Sequence, residues 1–391
     1  MDFCLPEELQ MLQATVRRFV EQEMIPLERE TPEAEDIPES LRRKLEDKAQ
    51  SLGLWALDAP VEYGGAGLGE LAMSVVLEEL ACTTLLPFRA PSVFGGYNGT
   101  ILYHANPDQK ECYLKPVIQG KKHASFALTE PNGGSDPSQM RTRAVRDGDY
   151  WVITGEKVFI SNADRADFIQ LFAATEPEKG SHGGVTCFLI DRGTPGMKIS
   201  RKFDLMIPEK PCAISFQEVR IPDTQRVGEI GEGFKLSQKW LTVGRLRHGP
   251  KAVGVARRAL QLATEYSRSR VTFGKPLSER QAIQWMLADS AVDIHAARLM
   301  IYHAAWRYDN GYDIRQEASM VKLFSDEMAF KVVDRAMQIF GATGLSKDWP
   351  IERMFRDIRS RRITEGASEI QRFVIARGLL LGQFPGSEQY S

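Results

Sequence analysis

The sequence predicts an α+β protein with three parts: a helical N-terminal domain, a small β-barrel or sandwich in the middle, and a C-terminal four-helix bundle. Three observations support this order. Apolar residues recur at helical spacing in the first third, short β-rich runs begin near residue 123, and the helical period returns after residue 233. We therefore predict domains at 1–122, 123–233 and 234–391.

The N-terminal domain is predicted to contain four helices. The first carries an apolar stripe and ends near Pro26, and the second covers about 41–52. The third follows a glycine-rich loop and ends near Leu80. Asn106-Pro107 has the residue types of a helix N-cap and first turn, so a fourth helix is expected from there to about Gly120.

The middle segment has four short runs that are rich in β-branched and aromatic residues, at 150–154, 168–172, 184–190 and 213–216. Runs of this length, separated by turn residues, favour a compact barrel or sandwich. Three long helices are then predicted over about 234–268, 279–309 and 314–340. Helices of this length usually pack as an antiparallel bundle.

The composition argues against several classes of function. Fifty basic and fifty-two acidic residues leave a formal net charge of -2, which gives no basic excess for nucleic acid. No apolar run reaches the roughly 18 residues of a membrane span, and no signal or transit peptide is visible. The five cysteines are scattered and the histidines lack metal-ligand spacing. We expect a cytoplasmic protein without a bound metal, and the mitochondrial matrix stays open.

Two distant segments have residue types that suit catalysis. Glu365-Gly366 places a carboxylate in a polar break between helices, and the loop from Thr129 to Ser135 offers backbone N–H groups and hydroxyls at close approach. Such a loop suits a flavin ring and a pyrophosphate. Each segment alone also has a structural interpretation, as a helix-to-helix loop and as a strand-to-turn segment. No Gly-x-Gly-x-x-Gly indicates a Rossmann site.

Five motifs in fixed order resemble the acyl-CoA dehydrogenase family, whose FAD-dependent members oxidise the α,β bond of acyl-CoA thioesters. They are Leu128-Thr129-Glu130-Pro131, Gly155-Glu156-Lys157-Val158-Phe159-Ile160-Ser161-Asn162, Arg270-Val271-Thr272-Phe273-Gly274-Lys275, Gln338-Ile339-Phe340-Gly341 and Glu365-Gly366. The resemblance covers the whole chain. It implies the acyl-CoA dehydrogenase fold, FAD as cofactor, an acyl-CoA substrate, electron-transfer flavoprotein as the acceptor, and a homotetramer built as a dimer of dimers.

The resemblance also implies the site residues. Glu365 would remove the α-proton while a β-hydride passes to flavin N5, which yields the trans-2-enoyl-CoA. Some relatives place the base immediately before an arginine that resembles Arg245, and that position is Gly244 here. The residues implied to bind FAD are Phe126, Leu128, Thr129, Gly134, Ser135, Phe159 and Ser161, with Arg270, Thr272, Phe273, Gln338 and Gly341 acting on a neighbouring subunit's FAD. Those implied to bind acyl-CoA are Ser135, Arg245, Gly366 and Arg377.

The chain departs from the family's usual residues at five positions, one of which is Ser161, where relatives often have Thr. Phe159 stands where relatives usually have Trp, and Ala342 where many have Gly. Ala367 replaces a frequent Thr or Ser, and Thr364 a frequent aromatic residue. We expect none of these changes to remove a catalytic group.

Several alternatives remain open at this stage. Arg245 could belong to a solvated or ion-paired face with Arg247 and His248, and Arg270 could interact with a helix dipole. The same fold could work as an enoyl-CoA reductase or an acyl-CoA oxidase, or serve as a non-catalytic subunit of a hetero-oligomer. Small residues at Gly95-Gly96, with Tyr97, lie where the family lines its acyl pocket, but the sequence does not indicate the acyl group.

Overall fold

The computed structural model describes residues 4–30, 36–95 and 101–383. The chain divides into two compact units: one comprises Met1–Glu39, Leu68–Phe88 and Thr242–Ser391, and the other Ser40–Gly67 and Arg89–Leu241. Gly96 and Tyr97, two residues of the expected acyl pocket, lie outside the described residues. Among the described helices, none is both long enough and apolar enough to traverse a bilayer.

A helical part, a part made of strands and a second helical part follow one another along the chain, in the predicted order. The helices are α1 Glu7–Phe19, α2 Glu39–Ser51, α3 Glu70–Leu80, α4 Pro107–Gln109, α5 Lys115–Ile118, α6 Gly233–Ser269, α7 Gln281–Asp309, α8 Arg315–Phe340, α9 Ile351–Arg361 and α10 Ser368–Leu380. The strands are β1 Ala124–Ala127, β2 Arg143–Asp147, β3 Tyr150–Ile160, β4 Phe168–Ala174, β5 Val185–Asp191, β6 Met197–Lys202, β7 Cys212–Pro222, β8 Arg226–Val227, β9 Val271–Thr272 and β10 Lys275–Pro276.

The first unit is helical, and its core lies between α6, α7, α8 and α9. Buried residues such as Leu246, Ile301, Val321 and Ile358 form one apolar cluster, as expected when long helices bury the same face turn after turn. The three long helices begin and end within two residues of their predicted bounds. That agreement confirms the helical C-terminal part of the prediction.

Helix α3 is fastened inside this unit by charged side chains. Glu79 accepts hydrogen bonds from Arg17 and Arg257, and Glu78 accepts two from Arg298. Burial opposes the ionisation of Glu79, but the two guanidinium groups outweigh it and hold the pKa of this carboxyl below its usual value. These contacts join α3 to α1, α6 and α7.

The second unit is built on one mostly antiparallel sheet, with strand order β6-β7-β3-β2-β4-β5-β8 and β1 added in parallel beside β4. Side chains alternate between its faces. On β4, Phe168 and Phe172 join one apolar cluster and Ile169 and Leu171 join the other. The sheet is therefore buried on both faces at β4, which explains its continuous apolar run.

Four strands of the sheet were not predicted. In β2 only Ala144 is buried, and β6 is an edge strand with no fully buried residue. The short β1 and β8 have four and two residues. Neither alternation nor an apolar run marks such segments in the sequence.

Candidate active site

Glu365 lies in the turn that joins α9 to α10, and its backbone conformation is unusual. Its φ is +54°, in the left-handed region that side chains other than glycine rarely adopt, and Gly366 follows with φ +92°. A β-carbon at position 366 would approach Gln371 Nε2 to 2.7 Å and Arg245 Nη2 to 3.3 Å. Glycine is thus required there, and the surrounding contacts maintain a strained turn of the kind that is frequent at functional sites.

Two side chains hold this turn through its carbonyl groups. Arg245 Nε donates to the Glu365 carbonyl at 3.3 Å. Gln371 Nε2 donates to the Gly366 carbonyl at 2.8 Å and to that of Glu365 at 3.4 Å. Gln371 is fully buried and Arg245 is nearly so, and burial lowers the pKa of Arg245 while Glu365 opposes that shift. The contacts fix the direction in which the Glu365 side chain leaves the backbone.

The Glu365 carboxylate points at one face of α6. A β-carbon built on Gly244 would lie only 2.5 Å from Oε2 of Glu365, so the absence of a side chain at position 244 makes room for the carboxylate. One helical turn further, His248 Nε2 lies 3.5 Å from Oε1. A side chain at position 244 and the carboxylate of Glu365 would therefore compete for the same space, and the glycine noted in the sequence avoids this.

A buried row of charged and polar groups continues behind the carboxylate. His248 Nδ1 lies 3.3 Å from Oδ2 of Asp326 on α8. Lys322 Nζ, one turn earlier on α8, donates to the same oxygen at 3.1 Å and to the Arg361 carbonyl at 3.0 Å. His248, Asp326 and Lys322 are each at most 2% exposed. This row joins α6, α8 and α9 to the turn that carries Glu365.

The open question about the arginines of α6 is resolved in favour of burial. Arg245, Arg247 and His248 are all buried, and Arg247 pairs with Glu70 at 2.6 Å. A solvated face is therefore the wrong interpretation, and an ion-paired one is right for Arg247. Arg377, by contrast, is exposed on α10.

In the second unit, the predicted cofactor loop is anchored by a buried ion pair. Glu130 accepts from Lys157 Nζ at 2.8 Å and from the backbone N–H groups of Arg141 and Thr142 at 2.6 and 2.9 Å. Burial opposes ionisation, but Lys157 and these donors hold the pKa of Glu130 below its usual value. Lys157 also donates to the Leu128 carbonyl at 3.0 Å. The two motifs around Thr129 and Lys157 are thus one structural element.

The loop itself is open to solvent. Gly134 and Ser135 are exposed and Thr129 is half-buried. A β-carbon on Gly134 would meet only Thr129 Cγ2, at 3.7 Å. The loop therefore presents polar backbone and hydroxyl groups without filling the space in front of them.

Phe159 is displayed by an irregularity in β3. Its φ is +56°, and the pairing of β3 with β7 shifts register between Lys157 and Ile160. Bulges of this kind re-aim a side chain. The Phe159 ring is 55% exposed and stacks on Phe203 at 4.5 Å between centroids. Ser161 follows, half-buried, and its carbonyl accepts from Ser125 at 2.9 Å.

Phe126 on β1 and Leu128 directly after it alternate with buried residues and are half-buried. The Phe126 ring stacks nearly parallel on Trp240, with centroids 4.2 Å apart, and leans on Phe172. Its neighbours in this structure are therefore aromatic side chains, and Trp240 is a part of this region that the sequence did not indicate.

The remaining predicted cofactor residues lie on the first unit. Arg270 follows the end of α6, and Thr272 and Phe273 lie in the hairpin of β9 and β10. Phe273 has φ +50° and is 97% exposed. Gln338 and Gly341 are exposed at the end of α8.

Comparison with known proteins identifies the class. Family models match in sequence order: the acyl-CoA dehydrogenase N-terminal domain at residues 6–121, the middle domain at 125–219 and the C-terminal domain at 231–380. The chain belongs to the acyl-CoA dehydrogenase family, and it is an oxidoreductase of that fold.

Two curated relatives cover nearly the whole chain. The mitochondrial short-chain specific acyl-CoA dehydrogenase of Bos taurus is 39% identical, over 96% of this chain and 91% of its own. A 3-(aryl)acrylate reductase of Clostridium sporogenes is 36% identical, over 96% and 99%.

Solved structures agree in fold. Butyryl-CoA dehydrogenase from Megasphaera elsdenii superposes with a TM-score of 0.87 at 34% identity, covering 97% of this chain and 100% of its own. A chain from the structure of the electron transferring flavoprotein of Acidaminococcus fermentans gives the same values. The FAD complex of PigA has a TM-score of 0.87 at 26% identity, over 97% and 100%.

FAD is the cofactor of this family, and the residues of the second unit fit it. The loop at Gly134 is open, so a phosphate or ring edge can approach its backbone closely. The bulge at Phe159 offers an exposed aromatic surface of the kind that packs on a flavin ring.

Proposed function

We propose that this protein catalyses the α,β-dehydrogenation of an acyl-CoA thioester to the trans-2-enoyl-CoA, with Glu365 as the base. The observation that carries the proposal is the direction of Glu365: a strained turn aims its carboxylate at the face of α6, where Gly244 leaves space for it. The backbone conformation of Glu365 fixes the direction of its carboxylate, and the side chain is mostly buried (13% exposed). A carboxylate placed in this way is suited to proton abstraction.

The other roles follow from the same proposal. FAD supplies the hydride acceptor, since no side chain can accept a hydride. Phe126, Leu128, Thr129, Gly134, Ser135, Phe159 and Ser161 would bind it within the subunit, and Arg270, Thr272, Phe273, Gln338 and Gly341 would bind that of a neighbouring subunit. The groups that we assign to acyl-CoA are Ser135, Arg245, Gly366 and Arg377.

The assembly and the partner belong to this proposal as well. Helix α7 exposes apolar side chains at every seventh residue, namely Trp285, Val292, Leu299 and Trp306; we call this the α7 stripe. Such a stripe is typical of helix-to-helix contacts between subunits, and it supports a homotetramer. The similarity to the Acidaminococcus fermentans structure supports electron-transfer flavoprotein as the electron acceptor. The cytoplasmic location and the domain boundaries stay predictions.

Reduction of an enoyl substrate is the second candidate. The Clostridium sporogenes relative is a reductase of 3-(aryl)acrylate and is 36% identical. In that direction protonated Glu365 would deliver a proton to the α-carbon, so the same residues would serve both reactions.

Anaerobic titration of the FAD-loaded enzyme tests the proposal. Short, branched and aryl-substituted acyl-CoAs are added in turn, and flavin absorbance is followed. We expect at least one saturated acyl-CoA to bleach the flavin. If none does, but dithionite-reduced enzyme is reoxidised by an enoyl or arylacryloyl substrate, the reductase is correct. Failure of both would contradict both candidates and leave the non-catalytic subunit.

A further inference from the structure

We propose that His248 is a positioning residue for Glu365: Asp326 holds the imidazole so that Nε2 faces Oε1 of Glu365, and the two groups share one proton. This inference rests on the proposed role of Glu365 as the base. His248 Nε2 lies 3.5 Å from the Glu365 carboxylate, and its effect on the reaction would pass through that carboxylate.

Asp326 determines which ring nitrogen carries a proton. Burial opposes ionisation of Asp326, but His248 and Lys322 outweigh it and hold the pKa of this carboxyl below its usual value. An ionised carboxylate only accepts hydrogen bonds, so His248 Nδ1, 3.3 Å away, carries a hydrogen directed at it. In the neutral imidazole, Nε2 then presents a lone pair. We assign this tautomer from the hydrogen-bond partners.

The contact between His248 Nε2 and Glu365 Oε1 needs one more proton to become attractive. A lone pair on Nε2 and an ionised Oε1 repel each other at 3.5 Å. The contact becomes attractive either when the ring is an imidazolium or when Glu365 is protonated and donates to Nε2. Through this contact, the protonation state of each group affects that of the other.

The neutral ring makes Glu365 the stronger base. It disfavours the carboxylate, and it accepts a hydrogen bond from the O–H that forms when Glu365 takes the α-proton. In that step the Cα–H bond breaks, its electron pair forms the Cα–Cβ double bond, and the β-hydride would leave to the hydride acceptor that FAD supplies. An imidazolium would act in the opposite way, because it stabilises the carboxylate. The rate should thus rise with pH as the imidazolium loses its proton.

Other charged groups near the His248 ring influence the pH at which the rate rises. Asp326 and Lys322 face it from α8, and Arg361 at the end of α9 contributes positive charge near Asp326. On α6 itself, Arg245 lies against the Glu365 turn. The Phe88 ring packs edge-to-face against the His248 ring, with centroids 5.0 Å apart. Phe88 carries no titratable group.

The first test is the pH profile of anaerobic flavin reduction at saturating acyl-CoA, for FAD-loaded wild type, H248Q and D326N. In H248Q we expect the rising limb to move by at least one pH unit and the plateau rate to fall about tenfold. In D326N the limb should move to lower pH, because the imidazolium loses its counter-charge. H303Q, which changes an exposed histidine of α7, is the matched control. A wild-type profile scaled uniformly in H248Q would overturn the proposal.

A second measurement does not depend on turnover. Histidine labelled with ¹³C at Cε1 reports the titration of His248, which is assigned by the signal that H248Q lacks. In E365Q the midpoint should fall by about one pH unit, because the carboxylate that stabilises the imidazolium is gone. An unchanged midpoint in E365Q would overturn the shared proton. If no acyl-CoA bleaches the wild type, the proposed function fails, and this titration still tests the pair.

Discussion

Among single residues, the proposed function depends on positions 365 and 244, because the Glu365 carboxylate occupies the space that a side chain at position 244 would fill. Glu365 reaches α6 because its backbone adopts φ +54°, and α6 admits it because residue 244 is glycine. Strained backbone of this kind costs roughly 1–3 kcal/mol and persists only where the surroundings impose it. Here Arg245 and Gln371 impose it through the carbonyl groups of the turn.

Gly244→Ala should displace the carboxylate without unfolding the protein. The new β-carbon would lie 2.5 Å from Oε2, and a flexible carboxylate can move aside. Because misplacing a reacting group by about 1 Å can cost on the order of 100-fold in rate, we expect flavin reduction to slow at least tenfold. Stopped-flow absorbance measures this, and the melting temperature serves as the folding control. Wild-type rates would show that position 244 does not confine Glu365.

The loop between helices that contains Glu365 could be predicted from the sequence, but the surroundings of the Glu365 side chain could not. The Glu-Gly pair stands next to a helix break, and the position before Arg245 was seen to be glycine. Contacts from His248 and Asp326 depend on how α6 and α8 pack, and 78 residues separate these two. No local pattern marks a histidine as the neighbour of a distant carboxylate, so this part of the site required the structure.

At the scale of elements, helix ends and loops are held by groups that are distant in the sequence. The carboxylate of Asp309, the last residue of α7, accepts from the first backbone N–H groups of α3, those of Glu70 at 2.7 Å and Leu71 at 2.9 Å. Those donors have no partner inside their own helix. One residue therefore supplies the cap that Gly69 cannot provide.

Asp309→Ala should destabilise the first unit. Loss of a helix cap typically costs about 1 kcal/mol, and here two donors lose their acceptor, so we expect roughly 1–2 kcal/mol. Urea unfolding followed by circular dichroism measures the change. Asp289→Ala, which removes an exposed carboxylate on the same helix, should leave the midpoint unchanged. Equal effects of the two substitutions would argue against the cap.

Glu130→Gln should make the second unit less stable, and the loss should be largest near neutral pH. The pKa of Glu130 is lowered in the folded chain, so its contribution is present above about pH 4.3, the ordinary value of a glutamate, and disappears as the pH falls through the lower folded value. Melting temperatures of wild type and variant should therefore converge in acid. Glu156→Gln, an exposed change on β3 next to Lys157, is the control, and a constant difference at every pH would contradict the assignment.

The elements that could be predicted are those that bury mostly apolar residues, either on one face or along their whole length. The long helices repeat an apolar face, and β4 and β5 are mostly apolar and buried along nearly their whole length. The strands β2 and β6 lie largely exposed, so the sequence pattern gave no signal for them. Their pairing comes from backbone hydrogen bonds with β3 and β7, which do not select residue type.

At the scale of the whole molecule, the exposed apolar surface predicts association. Trp285 and Val292 of the α7 stripe are 61% and 69% exposed. Exposed aromatic side chains in a row are unfavourable in water unless another surface covers them. The fully exposed Phe273 belongs to the same argument, since the proposed FAD contacts act between subunits.

Val292→Glu should dissociate the assembly. A charge in the middle of the α7 stripe would be buried without a partner in a subunit contact, which is strongly unfavourable. Sedimentation velocity should show a tetramer for the wild type and smaller species for the variant. Met11→Glu, at an exposed apolar residue of α1, should sediment like the wild type. A tetramer that survives Val292→Glu would exclude the stripe from the interface.

Glu365→Gln tests whether Glu365 is the base. The substitution keeps the size of the side chain and removes its basicity, while Glu369→Gln changes an exposed carboxylate four residues later. Both enzymes are loaded with FAD and mixed anaerobically with an acyl-CoA that bleaches the wild type. We expect the flavin of Glu369→Gln to bleach at the wild-type rate. We expect Glu365→Gln to bind FAD and substrate, but its flavin should stay yellow. Normal bleaching of Glu365→Gln would contradict the assignment of Glu365 as the base.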